Sequence, residues 1–174
     1  MKSENILGPA VGLVILVVLT GKIMARGLYP ESAGLLLTIV DGANLIFHEA
    51  GHIILLPFGA FLHYLGGSLM QVLIPALCAV HFWRRRQRAP SAVTIFWTGQ
   101  SLTNVAIYVA DARRMELPLI GGDHDWNYLL SELNLLNRDE SMGRLVFFTG
   151  MLLVWLSLIL LFVALLNAWN RKER

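Results

Sequence analysis

The chain has 174 residues, of which 56% are hydrophobic and 15% charged, with a mean hydropathy of +0.60. Soluble domains carry about 25% charged residues, so this balance excludes an ordinary soluble protein. A formal net charge of +2 is too small to mark a nucleic-acid binder, and the lone Cys78 allows neither an intramolecular disulfide nor a cysteine-based metal site.

A membrane-crossing helix needs about 20 mostly apolar residues. Five stretches qualify: 6–24, 33–56, 61–83, 91–112 and 145–169. The expected fold is therefore all-α, a polytopic membrane helix bundle of one domain in a lipid bilayer, with residues 113–144 as its long connection. Before the first stretch, the segment MKSEN offers one lysine offset by Glu4, and no A-x-A-like site follows, so a retained helix is expected rather than a cleaved signal peptide. The third stretch carries Cys78 as a small packing residue and ends with His81 and Trp83 beside arginines, an interfacial pattern. Within the connection, Trp126, Leu129, Leu130, Leu133 and Leu136 share one side of a short predicted helix, Trp126 to Leu136, with Asp125 as its N-cap. That helix would lie on the membrane surface or cover the bundle.

Basic residues suggest an orientation. Arg84, Arg85, Arg86 and Arg88 separate the third and fourth stretches, and such clusters stay cytoplasmic. Alternation from that loop puts Lys22, Arg26 and the C-terminal Arg171-Lys172-Glu173-Arg174 on the same side, with the N-terminus and the 113–144 connection outside.

The second and fourth stretches carry most of the polar residues at membrane depth. At about 100° per residue, Asn44, His48 and His52 all fall within ~60° of Asp41. On the fourth stretch Asn104, Tyr108 and Asp111 fall within ~80° of Gln100 by the same count. Polar residues at this depth face a bundle interior or a wet cavity, so the two stripes are expected to face each other. Amides such as Asn44, Gln100 and Asn104 also suit plain helix-to-helix hydrogen bonding.

His48-Glu49-Ala50-Gly51-His52 calls for more. Histidines at i and i+4 project from one side of a helix and can take adjacent positions on one Zn²⁺, with Glu49 beside them as general base for a metal-bound water. Such costly residues in an apolar helix are accounted for by a bound metal. Catalytic zinc usually takes three protein ligands. The residues offer Asp111 on the fourth stretch, His124 with Asp123 or Asp125 to orient it, and His63 at the start of the third as candidates for the third.

This pentapeptide on a membrane helix, followed by Gly66-Gly67-Ser68, resembles the site-2 protease class of intramembrane zinc metalloproteases. The resemblance implies that His48 and His52 bind zinc and that Glu49 is the general base. It also implies a helix-borne aspartate as third ligand, for which Asp111 is the matching residue, although Tyr108-Val109-Ala110-Asp111-Ala112-Arg113 lacks the proline and glycine of that class's signature. The longer pattern, GGSLMQVLIP and then GGDHDWNYLL, is similar to a group of small bacterial membrane proteins, which implies a bacterial inner membrane and no particular substrate. Two functions follow as expectations. One is a zinc peptidase cutting a membrane-protein or peptide substrate; the other is a non-hydrolytic metal-binding protein such as a transporter component or sensor.

Overall fold

The computed structural model describes residues 6–28, 34–118 and 123–172; the MKSEN segment and residues 119–122 of the long connection lie outside them. The described residues form the expected all-α bundle. Its long helices are α1 (Leu7–Arg26), α2 (Gly34–Leu55), α3 (Ala60–Arg84), α4 (Arg88–Ala110) and α6 (Asp139–Lys172), with a short α5 (Asp125–Glu132) between the last two.

Four of them, α1, α2 with the turn after it, α3 and α6, are long and apolar enough to cross a membrane. The fourth predicted span is the exception, and its position explains why. α4 packs against α6 and α3 and touches α1 and α2. Its Ser91, Thr94, Thr98, Gln100, Ser101 and Thr103 are buried among neighbouring helices, so they have no lipid to face. Small residues let α6 come close: a Cβ on Gly99 would stand 2.7 Å from the Gly150 carbonyl oxygen, and one on Gly150 2.7 Å from that of Gly99. Close backbone approach of this kind is how helices gain packing where lipid removes the hydrophobic drive.

α6 begins at Asp139, ahead of the apolar run from Leu145. Asp139 and Glu140 suit the positive end of a helix, and buried Asp139 accepts hydrogen bonds from the backbone N (3.2 Å) and Nε (2.8 Å) of Arg113. α5 is shorter than Trp126 to Leu136. Asn134, at φ 55, ends it in a left-handed conformation that asparagine tolerates, and Leu133 is left exposed. Leu130 packs with Val105, Val109 and Ala112, so α5 docks on the bundle as a cover.

α1 departs from the alternation read from basic residues. Its first turns, at Gly8, Pro9 and Gly12, share an apolar groove with Phe82, Ala89 and Pro90, at the Arg84–Arg88 end. Its last turn brings Arg26 Nη1 to 2.7 Å from Asp41 Oδ2. Asp41 in turn accepts from Gln100, which lies about 15 Å along α4 from Pro90 at 1.5 Å per residue. α1 therefore runs in the same sense as α4, and its start lies at the Arg84–Arg88 end rather than the opposite one. The physical reason is Arg26: the basic-residue count treats it as an interfacial charge, whereas it is buried as a counter-ion to Asp41.

Candidate metal centre

Near the far end of α2 from Gly34, His48 and His52 stack one turn apart, their ring centroids 4.7 Å apart in an edge-on arrangement. The space for them comes from α3. A Cβ on Gly51 would overlap the Gly66 carbonyl, so α2 and α3 touch backbone to backbone, and a Cβ on Gly67 would lie 2.5 Å from His48 Nε2. Any side chain at position 67 would displace the imidazole.

Hydrogen bonds fix how each ring is turned. The Gln71 Nε2 amide donates to the Ser101 carbonyl (3.4 Å) and to Asn104 Oδ1 (3.1 Å). A backbone carbonyl only accepts, so the other side of the Gln71 amide, Oε1, faces His48 Nδ1 at 2.9 Å. His48 Nδ1 must then be the protonated nitrogen. His52 Nδ1 lies 2.8 Å from the His63 carbonyl oxygen and is protonated by the same argument. His63 returns the contact, its Nδ1 donating to the His52 carbonyl at 3.0 Å, which ties the end of α2 to the start of α3.

Both Nε2 atoms are left as lone pairs, and both converge on Asp125. Its Oδ2 lies 2.9 Å from His48 Nε2 and 3.2 Å from His52 Nε2. Burial alone would push the Asp125 carboxyl up, but the two imidazoles facing it hold it below its ordinary value, so the oxygen between them belongs to a carboxylate. With Nδ1 committed in each ring, neutral imidazoles would leave three acceptors meeting with no donor among them. Either each ring carries a second proton, or one cation serves all three.

The donor set fits one. The three ligand atoms lie within 4.8 Å of one another, and atoms 2.0–2.1 Å from a tetrahedral zinc stand about 3.3 Å apart. Two neutral imidazoles and a carboxylate are a set that catalytic zinc uses, and a ring N–H given to a carbonyl or amide oxygen is the usual outer support of a metal-bound histidine. The group can hold a metal ion.

Among the residues singled out in the sequence, the structure brings His48 and His52 together but leaves Asp111 and His124 out of their group. Those two are buried against each other, His124 Nε2 lying 3.3 Å from Asp111 Oδ2. The Tyr108 ring stands between them and the metal group, 4.3 Å from the ring of His124 and 5.9 Å from that of His48. Asp125, expected to cap α5, is instead its first residue. The cap is His124, whose Nδ1 accepts from the Asn127 backbone at 3.2 Å. The Asp125 backbone N–H donates to the Tyr108 hydroxyl at 3.1 Å, and Trp126 Nε1 donates to Ser68 at 3.0 Å; both hold Asp125 over the histidines. Glu49 is half-buried and makes no hydrogen bond with another described residue. His81 is exposed beside the arginines, as its pattern suggested.

The lower part of the stripe forms a separate cluster. Asn44 donates to Gln100 Oε1 (2.8 Å) and accepts from Trp97 Nε1 (2.8 Å) and the Ser101 hydroxyl (3.0 Å). Asp41 accepts from Gln100 (2.7 Å) and Arg26 (2.7 Å). The α2 and α4 stripes do face each other, with Asn104 joined to the upper group through Gln71.

Sequence reasoning missed Gln71 and Asp125 as members of the upper group. Gln71 has a signal: it follows Gly67 by four residues and Ser68 by three, so it shares their face of α3. Asp125 has only its place beside His124, one residue from the expected ligand.

No protein-family model, curated protein or solved structure matches the chain. Fold and site together define an all-helical protein of membrane-spanning type, with a buried His-His-Asp group able to hold a metal ion.

Proposed function

We propose that this protein is a membrane-embedded zinc hydrolase, a peptidase acting on a membrane-protein or peptide segment, with zinc held by His48, His52 and Asp125. The carrying observation is the convergence of two imidazole lone pairs and one carboxylate oxygen, each imidazole with its other nitrogen already committed. A zinc ion there supplies Lewis acidity, bringing the pKa of a bound water to about 7. Glu49 follows His48 directly, acts electrostatically on His52 and Tyr108, and makes no hydrogen bond with another described residue, so its carboxylate would take the proton of the attacking water and pass it to the leaving amine. Gln71 and the His63 carbonyl hold the two rings in the required tautomer. The likeness to the site-2 protease class rests on the same pentapeptide.

The test is Glu49→Gln, examined with fluorogenic single-span peptides reconstituted with the protein in vesicles. Zinc stays at one equivalent per chain while turnover falls by about 10²–10⁴, the usual worth of a general base. Wild-type turnover in the variant would defeat the assignment. A second reading, a transporter component or metal sensor, is favoured by the depth at which the group lies beneath α5, with the Asp125 side chain only 7% exposed. It requires bound metal with no turnover in either protein.

For orientation, the basic loop Arg84–Arg88 is assigned to the cytoplasmic face of a bacterial inner membrane, which puts the Asp125 end outside and the start of α1 inside. In intact cells an impermeant thiol reagent then labels Asp123→Cys and spares Arg86→Cys; the reverse pattern inverts the assignment.

A further inference from the structure

Asp111 accepts three hydrogen bonds, yet it does not reach the metal group. Its Oδ1 accepts from the Glu116 backbone N–H at 3.2 Å, and its Oδ2 from that of Leu117 at 3.0 Å. The third partner is His124. Because His124 Nδ1 accepts from the Asn127 backbone, its proton sits on Nε2, and that N–H donates to Asp111 Oδ2 at 3.3 Å. Both side chains are almost fully buried, at 3% and 1% exposure. One carboxylate therefore holds the chain just after α4 and again immediately before Asp125.

We propose that Asp111 and His124 form a positioning pair that sets the zinc affinity of the site by fixing where Asp125 enters it. The inference rests on the metal-site reading above. His124 and Asp125 are adjacent in the chain. With His124 pinned to Asp111 on one side and capping α5 on the other, the first turn of α5 has little freedom. The Asp125 carboxylate is then aimed at the two Nε2 atoms instead of sampling the rotamers and backbone positions open to a loop residue. Asp111 acts on the metal at one remove, through backbone geometry, and contributes no ligand atom. Asparagine at 111 is the informative substitution. It keeps the shape but offers one oxygen where three donors converge, so at least one of the three bonds is lost.

Zinc affinity of the purified full-length protein is measured by competition with a chelator of known affinity, for wild type, Asp111→Asn, Asp125→Ala and the double variant. Outer supports of metal ligands are worth about 10–100-fold in affinity, so Asp111→Asn weakens zinc about tenfold or more. Asp125→Ala, which removes a ligand, weakens it further. The decisive arm is the double variant. If Asp111 works only through Asp125, Asp111→Asn has no further effect once Asp125 is alanine. A full additional tenfold loss there, or unchanged affinity in the single variant, overturns the proposal. His124→Asn repeats the cycle should Asp111→Asn fail to fold, and carries the same expectation. Wild-type protein whose zinc binding does not depend on His48 would instead sink the metal site itself, and the pair with it. Zinc lost in His48→Ala but held normally in Asp111→Asn and His124→Asn sinks the pair alone.

Discussion

The two halves of the polar stripe on α2 are built from similar residues and bonded in opposite ways. Around Asp41 and Asn44 every acceptor faces a donor: Arg26 and Gln100 serve Asp41, while Trp97 and Ser101 serve Asn44. Around His48 and His52 three acceptors face one another at 2.9 and 3.2 Å. In the lower cluster the protein meets every acceptor, with only Arg26 Nε and Nη2 buried and unpartnered among the described residues; in the upper one the acceptors need either a cation or a second proton on each ring. Matching donors to acceptors thus separates polar residues that join helices from those that form a site, a distinction that burial and depth alone do not make.

The comparison breaks most visibly at Asp41. Asp41→Asn leaves the Arg26 guanidinium, 6% exposed, without its counter-ion. Removing one partner of a buried pair costs about 3 kcal/mol or more. Stability of the variant in detergent falls by that order while its zinc content is unchanged, and a loss of zinc would show that the two clusters are one unit. The complementary effect, slightly smaller, comes from the ligand. Zinc at about a hundred times its Kd stabilises a protein that binds it only when folded by about 2.7 kcal/mol. Wild type and Asp41→Asn both gain this increment and lose it to a chelator, whereas His48→Ala gains nothing. Equal stabilisation of the His48 variant would mean that the ion binds elsewhere.

Much of this contrast is legible in the sequence, because helical periodicity carries it. Asp41, Asn44, His48 and His52 share a face by count alone, as do Gln100 and Asn104, and apolarity marks the long helices. Legibility fails where periodicity stops. In the connection after α4 no repeat fixes a register, and a slip of one residue exchanges the roles of His124 and Asp125, so one candidate ligand becomes the cap and the expected cap joins the two histidines. Apolarity also misleads for α4, whose polar face is turned to other helices, and charge counting misleads for Arg26, which is spent inside the bundle. Asp111, the helix-borne candidate, stays out of the histidine group. What the sequence does not contain is the loop that curls back to occupy its oxygens.

The two histidines also differ in how exposed they are to mutational drift. The ring of His48 is oriented by the side chain of Gln71, which a single substitution can delete. The ring of His52 is oriented by the main-chain carbonyl of residue 63, a group every amino acid possesses. One half of the site's support is written in a side chain and is heritable only as long as that codon is kept. The other half is written in the path of the backbone and survives any replacement that preserves the path. Replacing His63 would remove its own bond to the His52 carbonyl but not the carbonyl that orients His52, whereas replacing Gln71 removes the group that orients His48, an asymmetry that follows from geometry and precedes any selection on what the site does.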